Sequence, residues 1–131
     1  MSMNDLFYTD QFQVTEKTIS AVISLNDGHK IFSGHFPGQP ILPGVCMIHI
    51  VKELLVKALQ TDLRLIKTDQ IKFLTVIDPR HTPSFHVKID FDWMDTETIK
   101  ASGSFFNGTT VYFKVQGSLF GGVSHKMPVS D

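Results

Sequence analysis

The sequence predicts an α+β domain, a long central helix wrapped by an antiparallel β-sheet, and three observations carry that reading. Only one stretch, from near Gly44 to about Gln60, repeats apolar residues at helical spacing. Several others alternate apolar and polar residues, and Asn107-Gly108 separates the last two of them. With 131 residues the chain has room for one domain, 1–131, around one core.

The first element, Phe12 to Leu25, is rich in β-branched residues (Val14, Thr15, Thr18, Ile19, Val22, Ile23) and reads as strand folded at Glu16-Lys17. In the helix, Met47, Ile48, Ile50, Val51, Leu54, Leu55, Ala58 and Leu59 form one broad apolar arc. The opposite stripe, Val45, Cys46, His49, Lys52, Glu53, Val56, Lys57 and Gln60, is apolar in its first turn and mostly polar later. Something must cover Val45 and Cys46, and a second copy of the chain is the simplest candidate. After the helix, "QIKFLTVI" at 70–77 reads as a strand. At 84–91, Phe85, Val87, Ile89 and Phe91 alternate with His86, Lys88 and Asp90, and the same period returns at Ile99–Phe105 and Val111–Val115. Asn107-Gly108 tolerates positive φ and so predicts a hairpin, which makes the four strands an antiparallel meander. The tail from about Gly121 reads as frayed.

Composition removes several function classes. A hydrophobic fraction of 42% against 19% charged residues is that of a folded globular protein, and no segment is apolar for long enough to insert in a membrane. Net charge of −1 gives no field that favours nucleic acid. Local basic residues (Lys52, Lys57, Arg64, Lys67, Lys72, Arg80) are candidates for contact with an acidic carrier, and scattered solvated lysines are the plainer account of most of them. The start, "MSMNDLFYTDQF", has neither a basic opening nor an apolar core, so a cytoplasmic location is expected. Cys46, the lone cysteine, forms no internal disulfide and reads as a small filler at a subunit interface before a nucleophile. His29, His81, His86 and His125 lack ligand spacing, so no metal is expected.

The chemistry concentrates in "GHFPGQPILPGV", residues 34–45. Pro37, Pro40 and Pro43 each fix φ and extend the residue before them, which makes the segment stiff. Gly44 falls where the helix's unpaired N–H groups begin, and these can polarise a carbonyl oxygen. His35 is then a neutral-pH base held in one place.

This segment resembles the signature of the β-hydroxyacyl-acyl-carrier-protein dehydratases, which have the hotdog fold. A weaker likeness runs over residues 6–118, with "IKFLTVIDP" similar to the family's strand after the helix. The resemblance implies a homodimer, or dimer of dimers, whose two sheets join into one continuous double sheet, with tunnel-like sites at the interface. It implies that His35 takes the α-proton of a 3-hydroxyacyl thioester on acyl carrier protein and that the Gly44 N–H holds the thioester oxygen. Phe36, Pro43 and Val45 would line the substrate, and an acid on the partner's helix would protonate the departing hydroxyl. No cofactor is implied.

Two positions depart from the family. Fourteen residues after His35, where Glu or Asp is usual, stands His49; eighteen after it, where Gln is usual, stands Glu53. The two are helical neighbours, and three consequences stay open. Glu53 is the acid with the substrate shifted by a turn, or His49 as imidazolium is the acid oriented by Glu53, or the site binds acyl chains without dehydrating them. A role for Glu53 is preferred. Its plain alternative is a surface pair with Lys57 worth about 0.3–0.5 kcal/mol. The expected function is dehydration of carrier-bound 3-hydroxyacyl thioesters to trans-2-enoyl thioesters in fatty-acid, lipid or pigment synthesis; a hotdog acyl thioesterase and a non-catalytic acyl-carrier-binding subunit are the alternatives.

Overall fold

The computed structural model describes residues 3, 5–34 and 38–121. Among them run strands β1 (Phe7–Thr15) and β2 (Thr18–Leu25), a short helix α1 (Ile31–Gly34) and the long helix α2 (Gly44–Leu59). Strands β3 (Arg64–Phe73), β4 (Ser84–Trp93), β5 (Thr98–Asn107) and β6 (Thr110–Phe120) follow. The strands form one antiparallel sheet in the order β1-β2-β4-β5-β6-β3.

The expected fold-back at Glu16-Lys17 is the β1–β2 hairpin, with Glu16 at φ 53°. β1 begins earlier than its β-branched residues suggested, and it carries a bulge between Asp10 and Gln13 where Gln11 adopts φ 50°. The Gln11 N–H donates to Asp10 Oδ1 at 3.0 Å, which compensates for the lost ladder bond. The Asn107-Gly108 hairpin joins β5 to β6, with Gly108 at φ 57°.

One expectation fails. β4, β5 and β6 form a meander, but the strand at 70–77 does not precede β4 in it: β3 pairs with β6 at the far edge of the sheet. The physical reason is α2, whose sixteen residues run about 24 Å between β2 and β3, so the chain re-enters the sheet away from where it left it. The strand also starts at Arg64 and stops at Phe73. Beyond Phe73 the Leu74 and Thr75 N–H groups both turn to the Tyr112 carbonyl, at 2.9 and 3.2 Å, and ladder pairing with β6 ends. The tail expected to fray lies, from residue 122 on, outside the described residues; Gly121 itself donates its N–H to the Glu97 carbonyl at 2.6 Å.

The inner face of the sheet buries Ile19, Ile23, Phe85, Val87, Ile89, Ile99, Phe105 and Phe113 against α2. Phe105 lies between Phe85 (ring centroids 4.9 Å apart) and Phe113 (5.1 Å), an aromatic row across β4, β5 and β6. Each such side chain removed from water contributes roughly 1.5–3 kcal/mol. The helix presents two i, i+4 rows to this face, Cys46-Ile50-Leu54 and Met47-Val51-Leu55. Cys46 therefore belongs to the core of its own chain and is fully buried there, which corrects its assignment to the outer stripe; Val45 stays 64% exposed. The helix ends without glycine: Gln60 takes the left-handed conformation (φ 57°, ψ 39°), donates its N–H to the Val56 carbonyl at 2.8 Å and its side-chain amide to the Lys57 carbonyl at 3.0 Å. No helix of the described residues is long and apolar enough to cross a membrane.

Two glycines in strands meet different surroundings. A Cβ on Gly117 would stand 2.6 Å from the Lys67 carbonyl oxygen, in the bulged part of β3, whereas one on Gly103 would find ordinary contacts at 3.5 Å. Gly117→Ala is expected to destabilise the protein by about 1–3 kcal/mol in denaturant unfolding, because backbone cannot step aside. Gly103→Ala should cost much less; equal effects would mean that β3 does not lie this close to β6.

Candidate active site

The site begins with the segment that enters α2. Leu42, fully buried, donates its N–H to the Ile77 carbonyl at 2.8 Å, so the approach to the helix is tied to the chain leaving β3. Pro43 is extended (φ −67°, ψ 152°), and its carbonyl accepts from the N–H groups of Cys46 (3.0 Å) and Met47 (3.2 Å). The first turn of α2 has no side-chain cap and no acidic residue. The N–H groups of Gly44 and Val45 have no acceptor within the helix ladder, and nothing in that turn competes for an incoming oxygen.

Gly44 has a second reason to be glycine. The Phe73 ring from the end of β3 lies so close that a Cβ at Gly44 would come within 2.7 Å of its Cε1 and Cζ atoms. Phe73 leans on Phe113 (centroids 5.4 Å apart) yet keeps 59% of its surface exposed. The wall beside the helix start is thus an aromatic ring with one side free.

Val45, His49 and Glu53 follow one another at i, i+4 and i+8 along the outer row of α2. His49 is half-buried and meets the Phe7 ring of β1 edge-on at 6.5 Å; Glu53 is exposed. Among the described residues no hydrogen bond or ion pair joins His49 to Glu53. The surface pair with Lys57, the plain alternative for Glu53, is not formed either: Lys57 Nζ instead sits 4.9 Å over the Phe12 ring. β1 therefore flanks the outer row with two aromatic contacts. His35 and Phe36 lie outside the described residues. The structure brings together Pro43, Gly44 and Val45 at one helix end, with His49 and Glu53 on the turns that follow.

At the base of the motif segment a cleft of about 430 Å³ opens between His29, Phe32, Gly38, Pro40, Pro79 and Arg80. Arg80 is held there by Asp78, through Nε at 3.1 Å and Nη2 at 2.8 Å, and the Arg80 N–H donates to the same carboxylate at 2.8 Å. The hydrogen bond from the Arg80 side chain is the main reason the Asp78 carboxyl is held well below the usual carboxylate range. Burial pushes the Cys46 thiol up, which makes it a poor nucleophile. No group of three or more His, Cys, Asp or Glu side chains that could hold a metal ion occurs among the described residues.

Phe73, Phe7 and Phe12 were missed as site neighbours by sequence reasoning. The signal for Phe73 was its place in "QIKFLTVI"; nothing in strand periodicity says that its ring would reach the helix start.

A family profile described as ApeI-like, ApeI dehydratase, matches residues 11–105. The chain is 27% identical over 99 residues to the 3-hydroxyacyl-[acyl-carrier-protein] dehydratase FabZ of Rickettsia bellii, covering 66% of this chain and 68% of that protein. The FabZ of Rickettsia massiliae matches to the same extent. Among solved structures, the dehydratase heterocomplex ApeI:P from Xenorhabdus doucetiae superposes with a TM-score of 0.68 at 20% identity, over 90% of this chain and 99% of that one. A putative thioesterase from Ralstonia eutropha superposes with a TM-score of 0.63 at 9% identity, over 90% and 87%. These structural likenesses show the hotdog fold, a helix wrapped by an antiparallel sheet.

The Asp78–Arg80 turn generates a pH prediction. Folding lowers this carboxyl's pKa, so its contribution to stability is complete above 3.8, the ordinary value, and is lost as the pH falls through the lower folded value. Asp78→Asn should lower the Tm at neutral pH and flatten the loss of Tm on acidification; parallel Tm-versus-pH curves for the two proteins would contradict this.

Proposed function

The chain belongs to the ApeI-like dehydratase family, and from that premise we propose that it removes water from 3-hydroxyacyl thioesters carried on acyl carrier protein. The products are a trans-2-enoyl thioester and water, in fatty-acid, lipid or pigment synthesis in the cytoplasm. The observation that carries the reading is the start of α2: uncapped, free of carboxylates, and entered by a proline-framed segment pinned to Ile77.

In this proposal the His35 imidazole takes the α-proton, and the electron pair moves toward the thioester carbonyl. The carbonyl oxygen, gaining negative charge, faces the Gly44 and Val45 N–H groups, where the helix dipole favours it. The pair then returns to form the Cα–Cβ double bond, the Cβ–O bond breaks, and the hydroxyl leaves as water with a proton from the outer row of a neighbouring α2. Phe36, Pro43 and Val45 line the acyl passage. Glu53 is the preferred donor, because it is exposed on that row; His49 is wedged against Phe7.

The neighbouring helix comes, in this reading, from a second copy. β3 has β6 on one side and a free edge on the other. Leu65, Ile66, Phe73, Leu74 and Val76, on or just past that strand, are between 39% and 64% exposed. A ten-residue unpaired edge flanked by apolar side chains is what a strand-to-strand dimer needs to cover.

A second reading has one observation in its favour. His49 stands where the family's acid is usual and forms no hydrogen bond or ion pair with Glu53 among the described residues. A chain so built would bind the acyl carrier but need an active partner. The Xenorhabdus relative is described as a heterocomplex.

Mass spectrometry of a 3-hydroxyacyl carrier protein incubated with the purified chain should show loss of one water. Free carrier thiol without enoyl product would select thioester hydrolysis, and binding without turnover would select the second reading. Glu53→Gln should reduce kcat by at least about a hundredfold while His49→Ala keeps activity, a span typical of general acid catalysis; full activity in both would exclude both donors. Ile66→Lys is expected to shift sedimentation from the mass of two chains to that of one, and an unchanged mass would place the interface elsewhere.

A further inference from the structure

The face of the sheet turned away from α2 carries a charge arrangement that dehydration leaves unused. In register across it stand Ser20 on β2, Lys88 on β4, Ser104 on β5, Lys114 on β6 and Lys72 on β3. Lys72 and Lys114 are direct cross-strand partners, and Lys88 faces Lys114 across the single residue Ser104. Like charges directly opposite each other are unfavourable in an antiparallel ladder. None of the three lysines has an ion pair among the described residues; the salt bridges there belong to Lys17, Lys67, Arg80 and His81.

The next row supplies hydrogen-bonding groups. Asp90, Ser102, Gln116 and Gln70 lie across β4, β5, β6 and β3. Asp90 is the one carboxylate lining the cleft, and its Oδ1 accepts from Thr18 Oγ1 at 2.8 Å. The cleft these two rows enclose measures about 280 Å³, with Gly103 in its floor. From Lys88 to Lys72 it spans three strand spacings, about 14 Å. Lysine side chains are long enough to converge over Ser104 from both sides.

We propose that this outer-face cleft binds a small molecule bearing a diphosphate, with Lys72 and Lys114 meeting one phosphoryl group, Lys88 the other, and the Ser104 hydroxyl donating between them. A monophosphate engages one side of the cradle only and binds more weakly. The ammonium groups are exposed, so salt screens the attraction.

Calorimetric titration of the full chain with inorganic pyrophosphate at low ionic strength tests this. One saturable site per chain is expected, weakening as salt is added, with inorganic phosphate binding less tightly. Lys114→Gln should weaken pyrophosphate binding about tenfold or more, the loss of one charge-assisted contact. Lys100→Gln, on the same face beside Asp92, should leave it unchanged. Unaltered melting would show that both variants fold. Absence of saturable heat, or the same weakening in Lys100→Gln as in Lys114→Gln, would overturn the proposal.

Discussion

Everything in this structure depends on the seating of α2 against the aromatic row of the sheet. Two rows of the helix, led by Cys46 and Met47, press on Phe85, Phe105 and Phe113, and these contacts are nearly dry. Because cores pack at crystal-like density, the rotation of the helix about its axis is set by this interlock. That rotation in turn decides which side chains form the outer row. Val45, His49 and Glu53 are outward because Cys46, Ile50 and Leu54 are inward.

The helix start is positioned by a second tie. Leu42 is bonded to Ile77, and Gly44 admits the Phe73 ring, so both ends of β3's exit are in touch with the entrance of α2. A movement of the β3 edge would therefore reach the N–H groups of the first turn directly. This links the exposed apolar edge to the start of α2.

How much of this was legible in the sequence depends on the range of the interaction. Strand identity and the Asn107-Gly108 hairpin were readable because alternation and turn residues are local signals. The length of α2 was readable for the same reason, within a residue. The position of β3 was not, since pairing with β6 instead of β4 is decided by where the helix delivers the chain. Cys46 was misplaced because a helical arc drawn at 100° steps has soft borders, and only the sheet decides where the border falls. In the site, the proline and glycine framing of α2 was visible as composition. The flanking rings of Phe7, Phe12 and Phe73 were not, since each arrives from a distant strand, and Phe12 does so from within the β1 bulge.

The far-edge position of β3 also orders events during folding. The β1–β2 hairpin and the β4-β5-β6 meander join segments close in the chain, whereas β3 must wait for β6, whose pairing extends to Phe120. Loop-closure entropy makes such distant pairings slow to form. On a translating ribosome, β3 emerges with neither edge matched and its apolar residues bare until almost the whole domain has been made. The same exposed strand that suits association in the finished protein is thus the segment most in need of chaperone protection while the chain is being synthesised.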